Sequence, residues 1–148
     1  MWLDVFVPSA DALSQPDVGR SFYWLGEVFA DAIASVLGAS DNSALIEVNR
    51  GPTATSPWSK VLCFAALGAG EVAVAGRKVV GMSQRRERAG SWIHAMALLG
   101  GRGADLAEML SGTPDRRSQA KAVLAEAGLP EAEHLIGPLT EELLSRLP

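Results

Sequence analysis

The most basic stretch of this chain is GRKVVGMSQRRER, residues 76–88, in a sequence that is otherwise mostly apolar or acidic. Its lysine, Lys78, stands at the start of an apolar strand pattern, directly after a Gly-Arg turn signal. Because a strand fixes where its side chains point, a lysine placed there can hold a carboxylate or a phosphate in a defined position. The alternative is a hairpin turn followed by a solvated basic loop, and composition alone favours this alternative.

A glycine inside the same strand pattern is a second indication of a ligand site. Strand alternation puts side chains on opposite faces: Lys78, Val80 and Met82 on one, and Val79, Gly81 and Ser83 on the other. Gly81 weakens a strand, and such a glycine often marks the close approach of a ligand or of another backbone. The stretch is not a Walker phosphate loop, because it lacks the second glycine placed before Lys-Ser/Thr.

Cys63 and His94 are the other residues whose chemistry could matter. Cys63 lies in the apolar run VLCFAAL, where a lone cysteine is by default a small buried hydrophobic residue. As a nucleophile it would need a nearby cation or base, because a free thiol is only a few per cent ionised at neutral pH. If the apolar runs pair in order, Cys63 lies two strands, or about 10 Å, from Lys78. His94 could serve as a base or as a hydrogen-bond partner, and a core histidine is an equal alternative.

Length and composition limit the class of protein. A chain of 148 residues with 48% hydrophobic and 20% charged residues fits one soluble globular domain. The formal net charge of −4 excludes a protein that binds nucleic acid through its overall charge. A single cysteine excludes an internal disulfide and a Cys-x-x-Cys metal site, and we expect no other metal site. The sequence has no run of 18 apolar residues, so we expect a cytoplasmic protein that does not enter membranes.

The N-terminal part is predicted to contain a strand, a long helix and a short second strand. The segment WLDVFV alternates as a strand does, with one face formed by Leu3, Val5 and Val7. Asp17 can cap a helix that runs to about Leu37, with apolar residues every three or four positions. Residues 44–48 are predicted as the short strand, and residues 49–60 as a long polar loop.

The middle of the chain predicts a sheet, and its end predicts helices. Four apolar segments separated by turn signals predict an antiparallel meander of four or more strands: VLCFAAL, EVAVA, KVVGMSQ and WIHAMALL. After GGRG, residues 100–103, the pattern changes to short helices, which we expect to cover one face of the sheet. The predicted fold class is therefore α+β: a mostly antiparallel mixed sheet with one long helix and a helical C-terminal tail.

The block EVAVAGRKVVGMSQRRERAGSWIHAMALL, with the Cys-Phe pair before it, resembles the centre of the lipoate–protein ligase and octanoyltransferase family, which is related to biotin protein ligases. In that family a strand leads to a Gly-Arg/Lys-Lys turn, a Gly-Ser-Ala-Gln-like stretch, one or two arginines, and a histidine before an apolar strand. The matching residues are Gly76, Arg77, Lys78, Gly81, Gln84, Arg85, Arg86 and His94. The resemblance covers about residues 1–100, as a partial biotin/lipoate ligase-like catalytic domain, and leaves residues 101–148 as a helical tail packed on it.

The resemblance implies an enzyme that attaches a lipoyl or octanoyl group to one lysine of a lipoyl domain, in 2-oxoacid dehydrogenases or glycine cleavage proteins. Ligases of the family first make an acyl-adenylate from ATP, usually with Mg²⁺. Octanoyltransferases instead take the acyl group from acyl carrier protein.

The resemblance also implies roles for individual residues. Lys78 would contact the acyl carbonyl, and Cys63 matches the position at which one transferase branch carries the acyl group as a thioester. Further substrate contacts are implied for Gly76, Arg77, Gly81, Ser83, Gln84 and His94. Arg85 and Arg86 would contact phosphate or the partner protein, with simple solubility as the equal alternative.

The chain also departs from the family pattern. Cys63-Phe64 stands where ligases usually have Asn-Asp, which weakens the ATP-dependent alternative. Met82-Ser83 replaces the usual Ser-Ala, and Ala95 replaces the glycine that follows the histidine. The family's upstream Arg-Arg…Gly-Gly-Gly segment, which closes over the acyl chain, has no counterpart. We therefore expect that the N-terminal half of the domain is lacking and that an apolar sheet face is exposed.

These departures motivate a second function: a non-catalytic remnant, or one subunit of a split protein that requires a partner chain. The sequence leaves open whether the acyl group is lipoate or octanoate, and whether the donor is ATP-activated or a thioester. It also leaves open the true start of the protein, the activity of the isolated chain and the oligomeric state.

Overall fold

Five strands form one antiparallel sheet in the computed structural model, which describes residues 1–38, 45–100 and 103–148. In chain order the strands are β1 (Trp2–Pro8), β2 (Ile46–Val48), β3 (Val72–Val74), β4 (Arg77–Glu87) and β5 (Gly90–Ala97). Their order across the sheet is β1-β5-β4-β3-β2. The described residues also form four α-helices: α1 (Tyr23–Leu37), α2 (Gly103–Glu108), α3 (Pro114–Ala125) and α4 (Ile136–Arg146). The α+β class is confirmed. An antiparallel meander is present, but its strands are β2 to β5, so three of the four predicted segments belong to it and VLCFAAL does not.

One face of the sheet packs against α1 and α4 and forms the main core. Alternate residues of β1 contact this core, so the predicted apolar face is confirmed for Leu3, Val5 and Val7. The helices contribute buried side chains at helical spacing: Leu25, Phe29 and Ile33 from α1, and Leu139 and Leu143 from α4. Each such side chain stabilises the fold by about 1.5–3 kcal/mol relative to its exposure to water, so one apolar stripe is enough to hold each helix on the sheet.

The opposite face of the sheet is open over β1 and β5. Trp2 is 62% exposed, and Phe6 and Trp92 are 38% and 39% exposed. The Phe6 and Trp92 rings pack with their centroids 4.9 Å apart, and the Trp2 ring lies 6.1 Å from the His94 ring. An exposed apolar sheet face is therefore present as expected, and we call it the open face, defined by these four aromatic residues.

A bulge in β4 changes which of its residues share a face. Val80 and Lys78 pair with consecutive residues of β3, which leaves Val79 as an extra residue. Because of this extra residue, side chains that precede the bulge and side chains that follow it no longer alternate between the two faces in one continuous pattern. Lys78 and Gly81 consequently lie side by side, and a Cβ on Gly81 would be 3.2 Å from the Lys78 Cε. The prediction that these two residues occupy opposite faces is wrong for this reason.

The run VLCFAAL, predicted as a strand, forms a 3₁₀ turn at Cys63–Ala65 instead. The free side of β3 is taken by β2, so residues 61–67 find no ladder partner there. Their apolar side chains pack with α2 and α3 in a second, smaller core: Leu62, Phe64, Ala107, Ala120, Leu124 and Ala127. The turn therefore links the sheet to the C-terminal helices.

Helix α1 begins later than predicted. Asp17 accepts a hydrogen bond of 2.8 Å from the Arg20 backbone N–H, at the start of the 3₁₀ turn Arg20–Phe22. Helix α1 begins only after this turn, at Tyr23. The end at Leu37 agrees with the prediction, since Gly38 follows with a φ of 74°.

The backbone of α1 touches the loop that precedes β3. A Cβ on Gly26 would overlap the carbonyl oxygen of Gly70, and a Cβ on Gly70 would overlap Phe22. Gly70 also has a φ of 76°, a conformation that glycine adopts without steric cost. Two glycines thus let the helix and the loop meet backbone to backbone.

The C-terminal helices divide between the two cores, so the prediction that they cover one sheet face is wrong. α4 packs on α1 in the main core, whereas α2 and α3 pack with the Cys63–Ala65 turn in the smaller core. Residue 44 of the predicted short strand and residues 101–102 of GGRG lie outside the described residues. None of the described helices is long and apolar enough to cross a membrane.

Candidate functional site

A buried ion pair joins the two strands of the β3–β4 hairpin. The Lys78 Nζ lies 2.5 Å from the Glu71 Oε2, and the two side chains are 7% and 9% exposed. Glu71 directly precedes β3 and Lys78 is the second residue of β4, so the hairpin brings them together. Charges this deeply buried are tolerated only when they are matched by an opposite charge and by hydrogen bonds.

The hydrogen bonds around the pair meet this requirement. Glu71 Oε2 accepts from the Gly68 backbone N–H at 2.5 Å, and Oε1 accepts from the Met82 backbone N–H at 2.9 Å. The Lys78 Nζ also donates to the Cys63 carbonyl oxygen at 2.8 Å. The network therefore ties the Cys63–Ala65 turn, the loop before β3 and β4 to one another.

Glu71 is a site residue that sequence reasoning missed. Among the described residues, the buried polar side chains are Ser21, Glu71 and Lys78. The sequence contains a signal for this residue: Glu71, the first residue of EVAVA, and Lys78 carry opposite charges on the two sides of the Gly76-Arg77 turn. Opposite charges on both sides of a tight hairpin are neighbours by geometry, so this signal could have been used.

An apolar cavity of about 130 Å³, which we call the sheet cavity, lies beside the ion pair on the open face. Its lining residues are Trp2, Cys63, Phe64, Glu71, Gly81, Met82, Ser83, His94 and Met96. Apolar side chains dominate, and the polar groups are a thiol, a hydroxyl, an imidazole and one carboxylate. Such a lining is typical of small-molecule sites, although the cavity is smaller than the roughly 300 Å³ at which most of them begin.

A wider cleft of about 400 Å³, which we call the loop cleft, lies on the Lys78 side of the same region. It is lined by residues 54–58 and 64–67 and by Gly76, Lys78, Val123 and Glu126. Phe64 lines both spaces, and the Lys78 Nζ lies 5.3 Å from the centroid of its ring. Phe64 and the ion pair therefore separate the two spaces.

Cys63 is exposed and forms part of the wall of the sheet cavity. The predicted separation of about 10 Å from Lys78 is wrong, because residue 63 belongs to a turn and not to the strand ladder. The ammonium group of Lys78 instead binds the carbonyl oxygen of Cys63 itself. The structure therefore places the Lys78 cation next to the backbone of Cys63.

His94 lies on β5 between Ser83 of β4 and Asp4 of β1. Its Nδ1 is 2.6 Å from the Asp4 Oδ1, which also accepts from the Trp2 Nε1 at 2.7 Å. The hydrogen bond with His94 is the main reason why the pKa of Asp4 is lowered below its ordinary value of 3.8. The side chain of His94 is 32% exposed, so it is an oriented residue of the cavity wall and not a core histidine.

Arg77, which the resemblance places at the substrate, binds the end of α3 in this structure. Its guanidinium donates to the carbonyl oxygens of Ala125 (2.5 Å), Gly128 (3.2 Å) and Ala127 (3.3 Å). It also lies 3.2 Å from the Glu126 carboxylate. The last carbonyl groups of a helix have no hydrogen-bond donors within the helix, and the Arg77 guanidinium provides donors for them here.

The remaining basic residues do not converge on Lys78. Arg86 donates to the carbonyl oxygens of Pro16 (2.8 Å) and Gln15 (2.9 Å) and to the Gln84 side chain, so it fixes the loop after β1. Arg85 is exposed and pairs with its near neighbour Glu87. The residues that the structure gathers at the sheet cavity are Cys63, Gly81, Ser83 and His94, and Lys78 stands beside them.

No family model matches this chain, and no curated protein matches it at a significant level. The structure shows an α+β protein whose five-stranded antiparallel sheet carries an apolar cavity beside a buried Lys–Glu pair. Within the described ranges, no three His, Cys, Asp or Glu side chains are grouped so that they could hold a metal ion.

Proposed function

We propose that this protein transfers a medium-length acyl group, lipoyl or octanoyl, to the acceptor lysine of a lipoyl domain. The observation that supports this proposal best is the position of Cys63, in the wall of an apolar cavity and hydrogen-bonded through its own carbonyl to Lys78. An apolar chain in the sheet cavity would place its carbonyl carbon next to the thiol. In this proposal the Lys78 ammonium, which binds the Cys63 carbonyl oxygen, stabilises the oxygen that becomes negative.

The reaction consists of two balanced acyl exchanges. The Cys63 thiolate attacks the carbonyl of a thioester donor, such as acyl carrier protein, and the donor leaves as a thiol that takes up a proton. The acceptor lysine amine then attacks the Cys63 thioester, forming an amide, losing one proton and releasing the cysteine. Lys78 stabilises the oxyanion of both tetrahedral intermediates.

His94 is the proposed base of this reaction. Asp4 holds its Nδ1, which leaves the other ring nitrogen to accept the proton from the thiol or from the acceptor amine. In this proposal Cys63, His94 and Asp4 take the roles of nucleophile, base and orienting carboxylate that recur in nucleophilic catalysis. An ATP-dependent ligase would also need Mg²⁺, which such sites usually hold with one or two carboxylates and the phosphates of ATP.

The decisive experiment is acylation of the purified protein by octanoyl carrier protein, followed by intact mass measurement. We expect the mass of one octanoyl group to be added and hydroxylamine to remove it, as for a thioester. Because Cys63 is the single cysteine of the chain, Cys63→Ser provides a complete control. Lys78→Met keeps the thiol and should slow acylation about 100-fold, the effect of losing one oxyanion donor. The absence of an adduct, together with ATP-dependent lipoylation, would rule out the thioester route.

A second candidate is a protein that needs a partner chain to complete its site. The exposed aromatic residues of the open face favour it, because the sheet cavity opens on that same face. In this case Cys63 would still be acylated, but lipoyl-domain acylation would require a further component. Turnover of a lipoyl domain by the purified chain alone would contradict this candidate.

A further inference from the structure

The edge of the sheet formed by β1 has no partner strand among the described residues. β1 pairs only with β5, on its other side. The amino group and the carbonyl oxygen of Met1 both bond to Ala97, at 2.8 and 3.0 Å, so every second residue after Met1 points its backbone groups towards β5. The N–H and C=O groups of Trp2, Asp4 and Phe6 therefore point away from the sheet, along what we call the free edge.

The free edge lacks the usual protection against pairing with another strand. Sheet edges are commonly protected by short strands, bulges, lysines or a covering element. β1 has seven residues in an uninterrupted register with β5, and its proline, Pro8, stands at its end. Its charged residue, Asp4, is already bound by Trp2 and His94. β1 can therefore accept a further strand.

The sequence of β1 fits a second copy of itself in one register. In a symmetric antiparallel pair, residues opposite each other must lie on the same face of the joined sheet. Pairing centred on Asp4 would set two carboxylates opposite each other, which is unfavourable. Pairing centred nearer to either end of β1 would leave Trp2 or Phe6 without a partner residue. Pairing centred on Val5 instead sets Asp4 opposite the partner's Phe6, and Trp2 opposite the partner's Pro8.

The pair centred on Val5 would also satisfy the N–H groups of the free edge in both copies. Asp4 and the partner's Phe6 would exchange hydrogen bonds, and the Trp2 N–H would donate to the carbonyl oxygen of the partner's Pro8. Pro8 itself has no N–H, so no donor is left over at that end of the pair. A proline at the end of the strand is therefore compatible with this register.

A groove beside the free edge would receive an apolar side chain of the second copy. The groove has a volume of about 190 Å³ and is lined by residues 5–8, Asp11, Leu13, Trp24, Leu147 and Pro148. In the pair centred on Val5, the partner's Leu3 lies opposite Val7, whose side chain belongs to the main core. The leucine side chain would therefore enter the groove, and its burial would add to the backbone hydrogen bonds.

We propose that this protein forms a symmetric dimer in which the two β1 strands pair antiparallel about Val5, so that the two sheets become one continuous sheet. This is strand addition at a sheet edge, and the added strand comes from a second copy of the chain. The dimer uses no contact of Cys63 or Lys78, so its test is independent of the test of acyl transfer.

The mass of the wild-type protein in solution, measured by light scattering or sedimentation equilibrium, tests whether the dimer forms. We expect twice the mass of one chain at micromolar to millimolar concentrations. Phe6→Pro removes an outward N–H and leaves the hydrogen bonds between β1 and β5 in place, so we expect a monomer that still unfolds cooperatively. Phe6→Ala is the matched control, because it removes the ring but keeps the N–H, and it should remain dimeric.

Cysteine cross-linking tests the register. All of these variants carry Cys63→Ser, which removes the single native thiol. Opposite residues that exchange no hydrogen bonds have Cα atoms about 4.5 Å apart, within reach of a disulfide. Val5→Cys should therefore form a disulfide-linked dimer on mild oxidation. Leu3→Cys and Val7→Cys should each remain unlinked alone and become linked when the two variants are mixed and exchange subunits.

Three results would overturn the proposal. A wild-type protein that stays monomeric up to millimolar concentrations would reject the dimer. A dimer that persists in folded Phe6→Pro would place the interface elsewhere on the molecule. A dimeric protein in which Val5→Cys does not cross-link would reject the register, and this result does not depend on the folding of the proline variant.

Discussion

At the scale of single residues, the site depends on charges that are paired before any ligand arrives. Lys78 was predicted to hold an anionic group from its place after the turn, and the structure shows that it is buried and paired with Glu71. The role of Glu71 was not identified, because strand alternation describes faces and does not show which buried charges meet. Cys63 was placed wrongly in a strand, since the periodicity of VLCFAAL is equally compatible with an apolar turn that packs on helices.

The Asp4–His94 pair gives a testable pH dependence at this scale. The pKa of Asp4 is lower in the folded protein than its ordinary value of 3.8. The pair therefore stabilises the fold fully above pH 3.8, and this stabilisation is lost as the pH falls through the lower folded value. We expect wild type and Asp4→Asn to differ in stability at pH 6 and to converge as the pH falls well below 3.8, as measured by urea unfolding. A difference that stays constant over this range would show that Asp4 acts through something other than its ionisation.

At the scale of elements, the amphipathic patterns predicted β1, α1, β5 and the β3–β4 hairpin, because each buries one regular face. They did not predict the bulge at Val79, since one extra residue in a ladder depends on the register of the partner strand. They also did not predict that VLCFAAL would lie outside the sheet. This follows because β2 occupies the edge of β3 with which that run was expected to pair.

The contact between β4 and α3 gives a prediction at this scale. Arg77→Ala removes the donors to three terminal carbonyls of the α3 region and the pair with Glu126. We expect a loss of about 1–2 kcal/mol in the free energy of unfolding, because the guanidinium is partly exposed and water replaces some of these bonds. Arg85→Ala, at an exposed pair on the same strand, should change it by about 0.5 kcal/mol or less.

The same Arg77→Ala variant also tests the role that the family resemblance implies for this residue. If Arg77 serves only as a cap, the rate of Cys63 acylation by octanoyl carrier protein should stay within about twofold of wild type at temperatures where the variant is folded. Lost acylation with unchanged stability would instead assign Arg77 to the substrate.

At the scale of the whole molecule, the two faces of the sheet differ in their exposure to solvent. One face is sealed by α1 and α4, and the other leaves aromatic rings in water next to the sheet cavity. Composition and length predicted one globular domain, and the strand and helix patterns predicted the α+β class, but neither shows which face of the sheet the helices cover. That choice depends on where the chain turns after β1 and β5, which only the assembled structure shows.

The open face should bind hydrophobic dyes while the protein is fully folded. We expect the double variant Phe6→Ser, Trp92→Ser to lose most of the dye fluorescence. Loss of the contact between the two rings should cost about 1 kcal/mol of stability, in addition to the cost of the lost apolar burial. Leu144→Ser, at an exposed apolar residue of α4, is the control and should leave the dye signal unchanged. Unchanged dye binding in the double variant would place the accessible apolar surface elsewhere.

The backbone contact between Gly26 and Gly70 links a helix without site residues to the loop that carries Glu71. Any side chain at position 26 must push that loop outwards, and Gly68 and Glu71 would move with it. The distance between α1 and the loop therefore determines where the Glu71 carboxylate lies. A side chain at position 26 would therefore disturb the cavity as well as the packing of the helix, although Gly26 is not one of the residues that line the cavity.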